Sequence, residues 1–347
     1  MSLNYYSRFI SCLAAAGMAV LLAACGGGGG GDGVSTGSLS VDVTDLPATG
    51  DEVVCIHFTS VTLHHSDGDL IQIPYDPSTY VDVTGDCIDN VAVDAPPPAD
   101  PANNVVNLSS LQGELSVSLM ESEEVKAGHY NWIRLDVDET LSYVMDSGQQ
   151  KGLSCPSCDG EQSGLKLNRG ITVPAGGEAD FMIDIDLTKS LNKDPSGNFT
   201  LRPTLRLVDN TETGKITGTV ENSLLPGMIS ETDTGCKVYV YEGHGVVLDD
   251  YHEADNVLTS AKVLYNSDSG FYEYVAAFLP TDSTAEPTPY TVALTCDIDD
   301  PENDQNNDHL NLTGVDDVIF TDGVEPGAGQ ETDVMTNQTK TVPFPPL

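Results

Sequence analysis

Cys155 and Cys158 stand in the run Cys-Pro-Ser-Cys, the spacing of redox dithiols and of half a zinc site. Redox work needs the first thiolate activated at a helix N-terminus within alternating strands and helices. Here the flanks are Gly152, Ser154, Gly160 and Ser163, with strand patterns on either side. Zinc would need two further ligands, and no second close Cys or His pair supplies them. The expectation is therefore a disulfide that clamps a loop. His57, His64 and His65 are the next candidates. On an extended strand His57 and His65 share a face, yet at about 3.3 Å per residue they lie roughly 26 Å apart, too far to hold one metal without a turn. They read as surface histidines.

The densest set of hard oxygen ligands follows Cys296, in Asp297-Ile-Asp-Asp-Pro-Glu-Asn-Asp-Gln-Asn-Asn-Asp308. An EF-hand loop needs Gly at its sixth position and Glu at its twelfth. Counted from Asp297, those positions hold Glu302 and Asp308, so that pattern fails. A looser calcium site built from Asp297, Asp299, Asp300, Glu302 and Asp304 is one reading, and a solvated acidic loop is the other. Calcium is the only cofactor the sequence suggests. Gly-x-Ser-x-Gly, the Walker loop, the dinucleotide fingerprint and His-Glu-x-x-His are all missing from the sequence. Carboxylates are too numerous for any two to be singled out as a glycosidase pair. Trp132, the one tryptophan, is expected in the core or at the rim of a sandwich rather than as an exposed platform for sugars.

The elements that would carry these residues are strands. Gly37 to Asp45 alternates apolar and polar residues, and Val53 to Leu63 repeats the pattern with Val53, Cys55, Phe58, Val61 and Leu63 as its apolar set. Asp67-Gly68-Asp69 marks a turn before Leu70 to Ile73, and Ala95 to Pro101 is too rich in proline for a central strand. The stretch around Ser109 reads as a turn of helix before Leu115 to Leu119. Val125 to Val137 is the clearest block, a turn leading into an alternating strand with Tyr130, Trp132, Arg134 and Asp136 on one face. Leu165 to Val173, Ala179 to Leu187 and Leu201 to Val208 complete a first series. After the polar break Asp209 to Thr213, a second series runs through Gly214 to Val220, Cys236 to Tyr241, Ser260 to Leu264, Phe271 to Phe278 and Pro289 to Cys296. Short strands between turns, without a convincing amphipathic helix, predict an all-β chain of two antiparallel β-sandwich domains. The expected divisions are 37–209 and 210–340, with a Pro-rich tail at 341–347 that frays.

Composition narrows the function. The formal net charge is −40, from 54 acids against 14 bases among 347 residues. Nucleic-acid binding needs basic surface and is excluded as an expectation. Acidity of this size suits solubility in a salty medium, where screening weakens self-repulsion. Apart from Cys12 and Cys25, six cysteines remain. An even count in an exported chain argues for disulfides, although six cysteines allow 15 pairings. If the two series fold separately, Cys236 pairs with Cys296, and the simplest remainder is Cys55 with Cys87 and Cys155 with Cys158.

Export is itself read from the first residues. Arg8, an apolar stretch from Cys12 to Ala24 and small residues before Cys25 form a secretory leader, too short for a membrane span of about 20 residues. Leu22-Ala-Ala-Cys25 resembles the lipobox of bacterial lipoproteins, in which the cysteine is acylated and becomes the first residue. Residues 1–24 are then a signal peptide, and 25–36 a tether opened by the glycines Gly26 to Gly31. Gly26 after the acylated cysteine points to the outer membrane, facing either the periplasm or the cell surface.

Several strand blocks together resemble a family common in prokaryotic lipoproteins, the domain of unknown function 4382. They are Gly37 to Asp45, Phe58 to Leu63, Leu108 to Gly113, Ala127 to Leu135, Gly164 to Leu167 and Val173 to Gly177. The resemblance covers about residues 37–209 and implies a β-sandwich, with no reaction and no catalytic residues to carry over. The second series, with Gly-x-Ile-x-Gly-x-Val from Gly214, Val238 to Tyr241, Ser269 to Tyr272 and Tyr290 to Leu294, resembles transthyretin-like modules related to carboxypeptidase regulatory domains. Such modules brace or bind. The expected function is thus a lipid-anchored envelope lipoprotein, membrane-bound through Cys25, that contacts a protein or glycan partner without catalysing a reaction. The alternatives are a calcium-dependent surface adhesin and a hydrolase with an unrecognised site.

Overall fold

The computed structural model describes residues 34–46, 52–75, 87, 105–158, 164–225, 234, 236–246, 248, 257–282, 286–296 and 329–345. Ser35–Leu347 forms one compact unit, and every strand among the described residues belongs to it. Cys25 and the acidic run Asp297, Asp299, Asp300, Glu302 and Asp304 lie outside the described residues.

Alternation in the sequence becomes strand. The first series gives β1 (Thr36–Leu46), β2 (Val53–His65), β3 (Leu70–Pro74), β4 (Val105–Asn107), β5 (Val117–Lys126), β6 (Gly128–Val137) and β7 (Tyr143–Asp146). It continues with β8 (Gln149–Ser154), β9 (Leu165–Leu167), β10 (Ile171–Val173), β11 (Glu178–Asp186), β12 (Leu191–Lys193), β13 (Phe199–Leu201) and β14 (Leu205–Asp209). The second series gives β15 (Thr213–Val220), β16 (Lys237–Glu242), β17 (Val257–Lys262), β18 (Leu264–Asn266), β19 (Phe271–Pro280), β20 (Thr288–Thr295), β21 (Gln330–Val334) and β22 (Thr339–Thr341). Helical structure among the described residues is limited to single turns. One is a 3-10 turn at Leu108–Ser110, where Asn107 caps the Ser110 amide. Another is α1 (Leu187–Ser190), capped by the Asp186 side chain on Lys189 N at 3.0 Å.

The protein is all-β, built as sheets that face one another. In the first series the sheet β14-β11-β1-β5 lies against a larger sheet that runs β10-β6-β2-β7-β8-β13-β12, with β3 and β4 on β2 and β9 on β6. One core, from Leu39 to Leu207, fills the space between them. The second series forms β18-β19-β15-β22 and β17-β16-β20-β21 around another core, from Ile216 to Phe344. Most pairings are antiparallel, whereas β1–β11, β8–β13 and β15–β22 run parallel. Each of these parallel partners is reached by a long excursion of the chain, which a tight hairpin could not supply.

Two β-bulges correct the predicted faces. In β2 an extra residue near Thr59 shifts the register against β6, so Val54, Ile56 and Phe58 point into the core before the bulge, and Val61 and Leu63 after it. Val53 and Cys55 therefore sit on the other face, with Cys55 in a small cluster beside Val105 and Tyr143. A second bulge, at Asn131 of β6, turns Tyr130 inward, where its hydroxyl donates to Lys126 O at 2.6 Å. Tyr130 is thus a core residue and does not share the face of Trp132, Arg134 and Asp136.

As far as Pro345, the Pro-rich end is docked rather than frayed. Val342 N and Phe344 N donate to Thr217 O and Thr219 O at 2.8 Å, and Phe344 is buried in the second core. This docking explains the Gly-x-Ile-x-Gly-x-Val motif. A Cβ on Gly218 would meet Val342 O at 2.0 Å, and one on Gly214 would meet Val334 Cγ1 at 2.4 Å. Both glycines are required by the close approach of the chain's last segment.

Candidate functional site

The histidines expected at the surface are largely inside. His57 and His65 are buried, and His65 Nδ1 lies 2.7 Å from Asp67 Oδ1 with its ring edge-on to Tyr130. Gly128 leaves room for that ring, since a Cβ there would lie 2.6 Å from His65 Nε2. His64 alone is half-exposed, stacked on Trp132 with ring centroids 5.1 Å apart. No group of three or more His, Cys, Asp or Glu is arranged to hold a metal among the described residues.

Trp132 stands on the outer face of the large sheet, half-buried. His64 reaches it from β2, and Lys166 of β9 places its ammonium 4.2 Å from the ring centroid. Each neighbouring strand therefore packs a side chain against the indole. Below it, Arg134 and Asp136 form a buried ion pair through Arg134 Nε and Asp136 Oδ1. The other carboxylate oxygen accepts from Ser60 Oγ at 2.6 Å and from Thr62 Oγ1 at 2.5 Å, and Gln72 Nε2 reaches it at 3.3 Å. This network saturates its own donors and stiffens the sheet.

Three disulfides join Cys55 to Cys87, Cys155 to Cys158 and Cys236 to Cys296. Cys155 and Cys158 close the turn after β8, with Cys158 N donating to Cys155 O at 2.7 Å and Cys155 N to Glu139 Oε1 at 3.0 Å. The turn follows strand β8, and no helix N-terminus stands beside the sulfurs among the described residues.

The polar features that sequence reasoning missed lie where the two series of strands meet, β1 against β17 and β14 against β19. Asp45 is the last residue but one of β1, and Asp184 of β11 stands in register with Arg206 of β14. Arg206 Nη2 donates to Asp184 Oδ2 at 2.7 Å, and Leu187 N to Asp45 Oδ1 at 3.2 Å. Asp45 Oδ2, Asp184 Oδ1 and Arg206 Nη1 are buried without a partner among the described residues. All three residues line a cavity of about 20 Å³, which Thr259, Ser260 and Phe278 close from the other series. A bulge in β19 brings Ala277 and Phe278 to it, with Phe278 at φ 52°. Burial pushes the Asp45 carboxyl well above the usual carboxylate range, and the neighbouring Asp184 and Asp186 add to that shift. Burial also raises Asp184, against the pull of Arg206.

A stability signature follows. Asp45 binds its proton more tightly folded than unfolded, where a carboxyl titrates near about 3.9. Its favourable contribution is complete below that pH and is lost as pH rises through the raised folded value. Asp184 acts with the same sign. Asp45→Asn keeps an acceptor for Leu187 N and removes the charge, so its melting temperature should exceed that of the unmodified protein at pH 8 and approach it at pH 4. Each unit of pKa difference is worth about 1.4 kcal/mol. Thermal melts of both proteins across that range make the check, and parallel curves would remove Asp45 from the account.

Beside this cavity opens a cleft of about 240 Å³, lined by Gln112, Gly113 and Glu114 from the first series and by Lys262, Leu264, Tyr265, Asn266, Glu273, Tyr274 and Val275 from the second. Leu264 and Tyr265 belong to the edge strand β18 and are 40% and 38% exposed. The signal for this site was thin in the sequence. Leu264-Tyr-Asn266 continues the alternation of β17, and nothing local says that Gln112 to Glu114 will face it.

Residues 36–203 match the family described as a domain of unknown function (DUF4382). No curated protein matches the chain in sequence. Among solved structures, the chain is similar to a candidate cell adhesion protein from Bacteroides fragilis, at 11% identity over 88% of this chain and 92% of that one, with a TM-score of 0.18. A candidate adhesin from Bacteroides ovatus gives 8% identity over 91% and 95%, with a TM-score of 0.21. The fimbrial anchor protein of Porphyromonas gingivalis gives 15% over 74% and 77%, with a TM-score of 0.16. At such TM-scores the folds do not superpose as wholes.

Proposed function

We propose that this chain is a lipid-anchored lipoprotein of the bacterial cell envelope that binds a partner and does no chemistry on it. The observation that carries the binding reading is the cleft at the meeting of the two series. It is concave and mixes an apolar wall, Leu264 and Tyr265, with the polar groups of Gln112, Glu114, Lys262 and Glu273. That mixture suits recognition, where apolar area gives affinity and a few placed polar groups give orientation. The address rests on the sequence alone: the leader, Cys25 and the glycines after it. Residues 37–209 and 210–340 are then two domains, the second a transthyretin-like brace that completes the cleft.

The test is made in intact cells. Fatty-acid labelling should follow the protein and be abolished by Cys25→Ser, and crosslinking in intact envelopes should capture a partner that is lost when Tyr265 is replaced by alanine. A protein released unlabelled, or a capture indifferent to the cleft, would sink the corresponding half of the proposal.

A further inference from the structure

The charged side chains that line the cleft have hydrogen-bond partners except for one. Glu114 Oε1 accepts from Lys215 Nζ at 2.6 Å. Both oxygens of Glu273 are engaged, by Asn266 Nδ2 at 2.8 Å and Ser269 Oγ at 2.7 Å. Lys262, half-buried at the end of β17, makes no hydrogen bond and no ion pair among the described residues. Its charge acts through space on the buried carboxyl of Asp45, with no hydrogen bond between the two. In a chain with 54 acids and 14 bases, the one charged group of this cleft left without a hydrogen-bond or ion-pair partner among the described residues is a cation.

We propose that the cleft binds an acidic sugar, a hexuronate unit, with its carboxylate on the Lys262 ammonium. A partly desolvated ammonium gains most from a carboxylate partner. The ring's C–H face would lie against Tyr265, which is held in place by Tyr272 with ring centroids 5.2 Å apart. Sugar hydroxyls have acceptors in Glu114 and in the Gln112 carbonyl oxygen, whose own amide nitrogen is committed to Ser109 O at 2.8 Å. The acceptors around the ammonium suit a polyol better than a peptide terminus, which carries a carboxylate but few hydroxyls. A volume of about 240 Å³ fits one ring rather than a folded partner. This inference rests on the binding reading above and names its ligand class.

Titration of the purified protein with glucuronate and galacturonate, followed by backbone amide signals, tests it. Hexuronates should shift the amides of Gly113 and of residues 262–266, while glucose at equal concentration leaves them in place. Lys262→Met, which keeps the aliphatic stem, should weaken binding by roughly tenfold or more, and Lys262→Arg should restore most of it. Equal shifts with glucose and glucuronate, unchanged affinity in Lys262→Met, or shifts with a short free-carboxylate peptide only would each overturn the assignment. Envelope crosslinking that persists and still depends on Tyr265 while hexuronates fail would leave the binding reading standing and remove only the acidic sugar.

Discussion

Replacement of Asp136 by alanine is expected to cost about 3–5 kcal/mol of folding stability, the penalty for leaving a buried charge without its partner. The Arg134 guanidinium would keep only Thr62 Oγ1 at 3.3 Å and its place 5.8 Å from the Trp132 ring. Ser60, Thr62 and Gln72 would lose their common acceptor at the same time. Arg134→Met should cost less, because the Asp136 carboxylate retains those three donors. The double variant, with methionine at 134 and leucine at 136, should recover much of the loss, since apolar replacement of a buried pair is often close to neutral. Denaturant unfolding monitored by Trp132 fluorescence reads all three variants at the site itself. Losses that simply add, rather than partly cancel, would mean that the two side chains are not coupled and that the sheet's outer face is held by its hydroxyls alone.

The all-β class was legible because a half-buried strand writes its period into the sequence, and Leu39, Val41 and Val43 show this plainly. The faces of individual strands were less legible. A bulge changes the period by one residue without changing any residue type, so simple alternation puts the apolar set of β2 a step out before Phe58 and groups Tyr130 with Trp132, Arg134 and Asp136. The tail misled for a related reason. Three prolines argue against an internal strand, but Phe344 still buries its ring at a sheet edge, where the lost amide donors cost little.

The meeting of the two series was hidden for a different reason. Asp184 and Asp186 occupy the polar positions of an alternating strand, which read as solvent-facing. Asp184 is buried where the second series covers that outer face, and Asp186 caps the single turn α1. Neither period nor composition records which outer face another sandwich will cover. The clue available was the cross-strand pair of Asp184 and Arg206, since an arginine is scarce in so acidic a chain. That pairing becomes visible only once the register of β11 and β14 is known. The site therefore lies where information is least local, with Gln112 to Glu114 and Lys262 to Asn266 far apart in the chain.

Removal of the Cys236–Cys296 disulfide is expected to be the most damaging of the three deletions. It closes a separation of 60 residues, against 32 for Cys55–Cys87 and 3 for Cys155–Cys158. In the chain-entropy treatment these separations correspond to about 4, about 3.7 and about 1.6 kcal/mol of stabilisation. Packing separates the first two further. Cys236 belongs to the second core beside Val238 and Leu294, whereas Cys55 lies in a small cluster apart from the main one. Replacing Cys236 and Cys296 together by alanine also leaves small gaps in that second core, which adds to the entropic loss. The second series has the smaller core, so it has less to spare. The double variant should lose the protection of β16 and β20 in hydrogen exchange while β1, β2 and β6 keep theirs. Equal loss of protection throughout would mean that the two series unfold as one cooperative unit, and the acidic-sugar cleft between them would then open only with global unfolding.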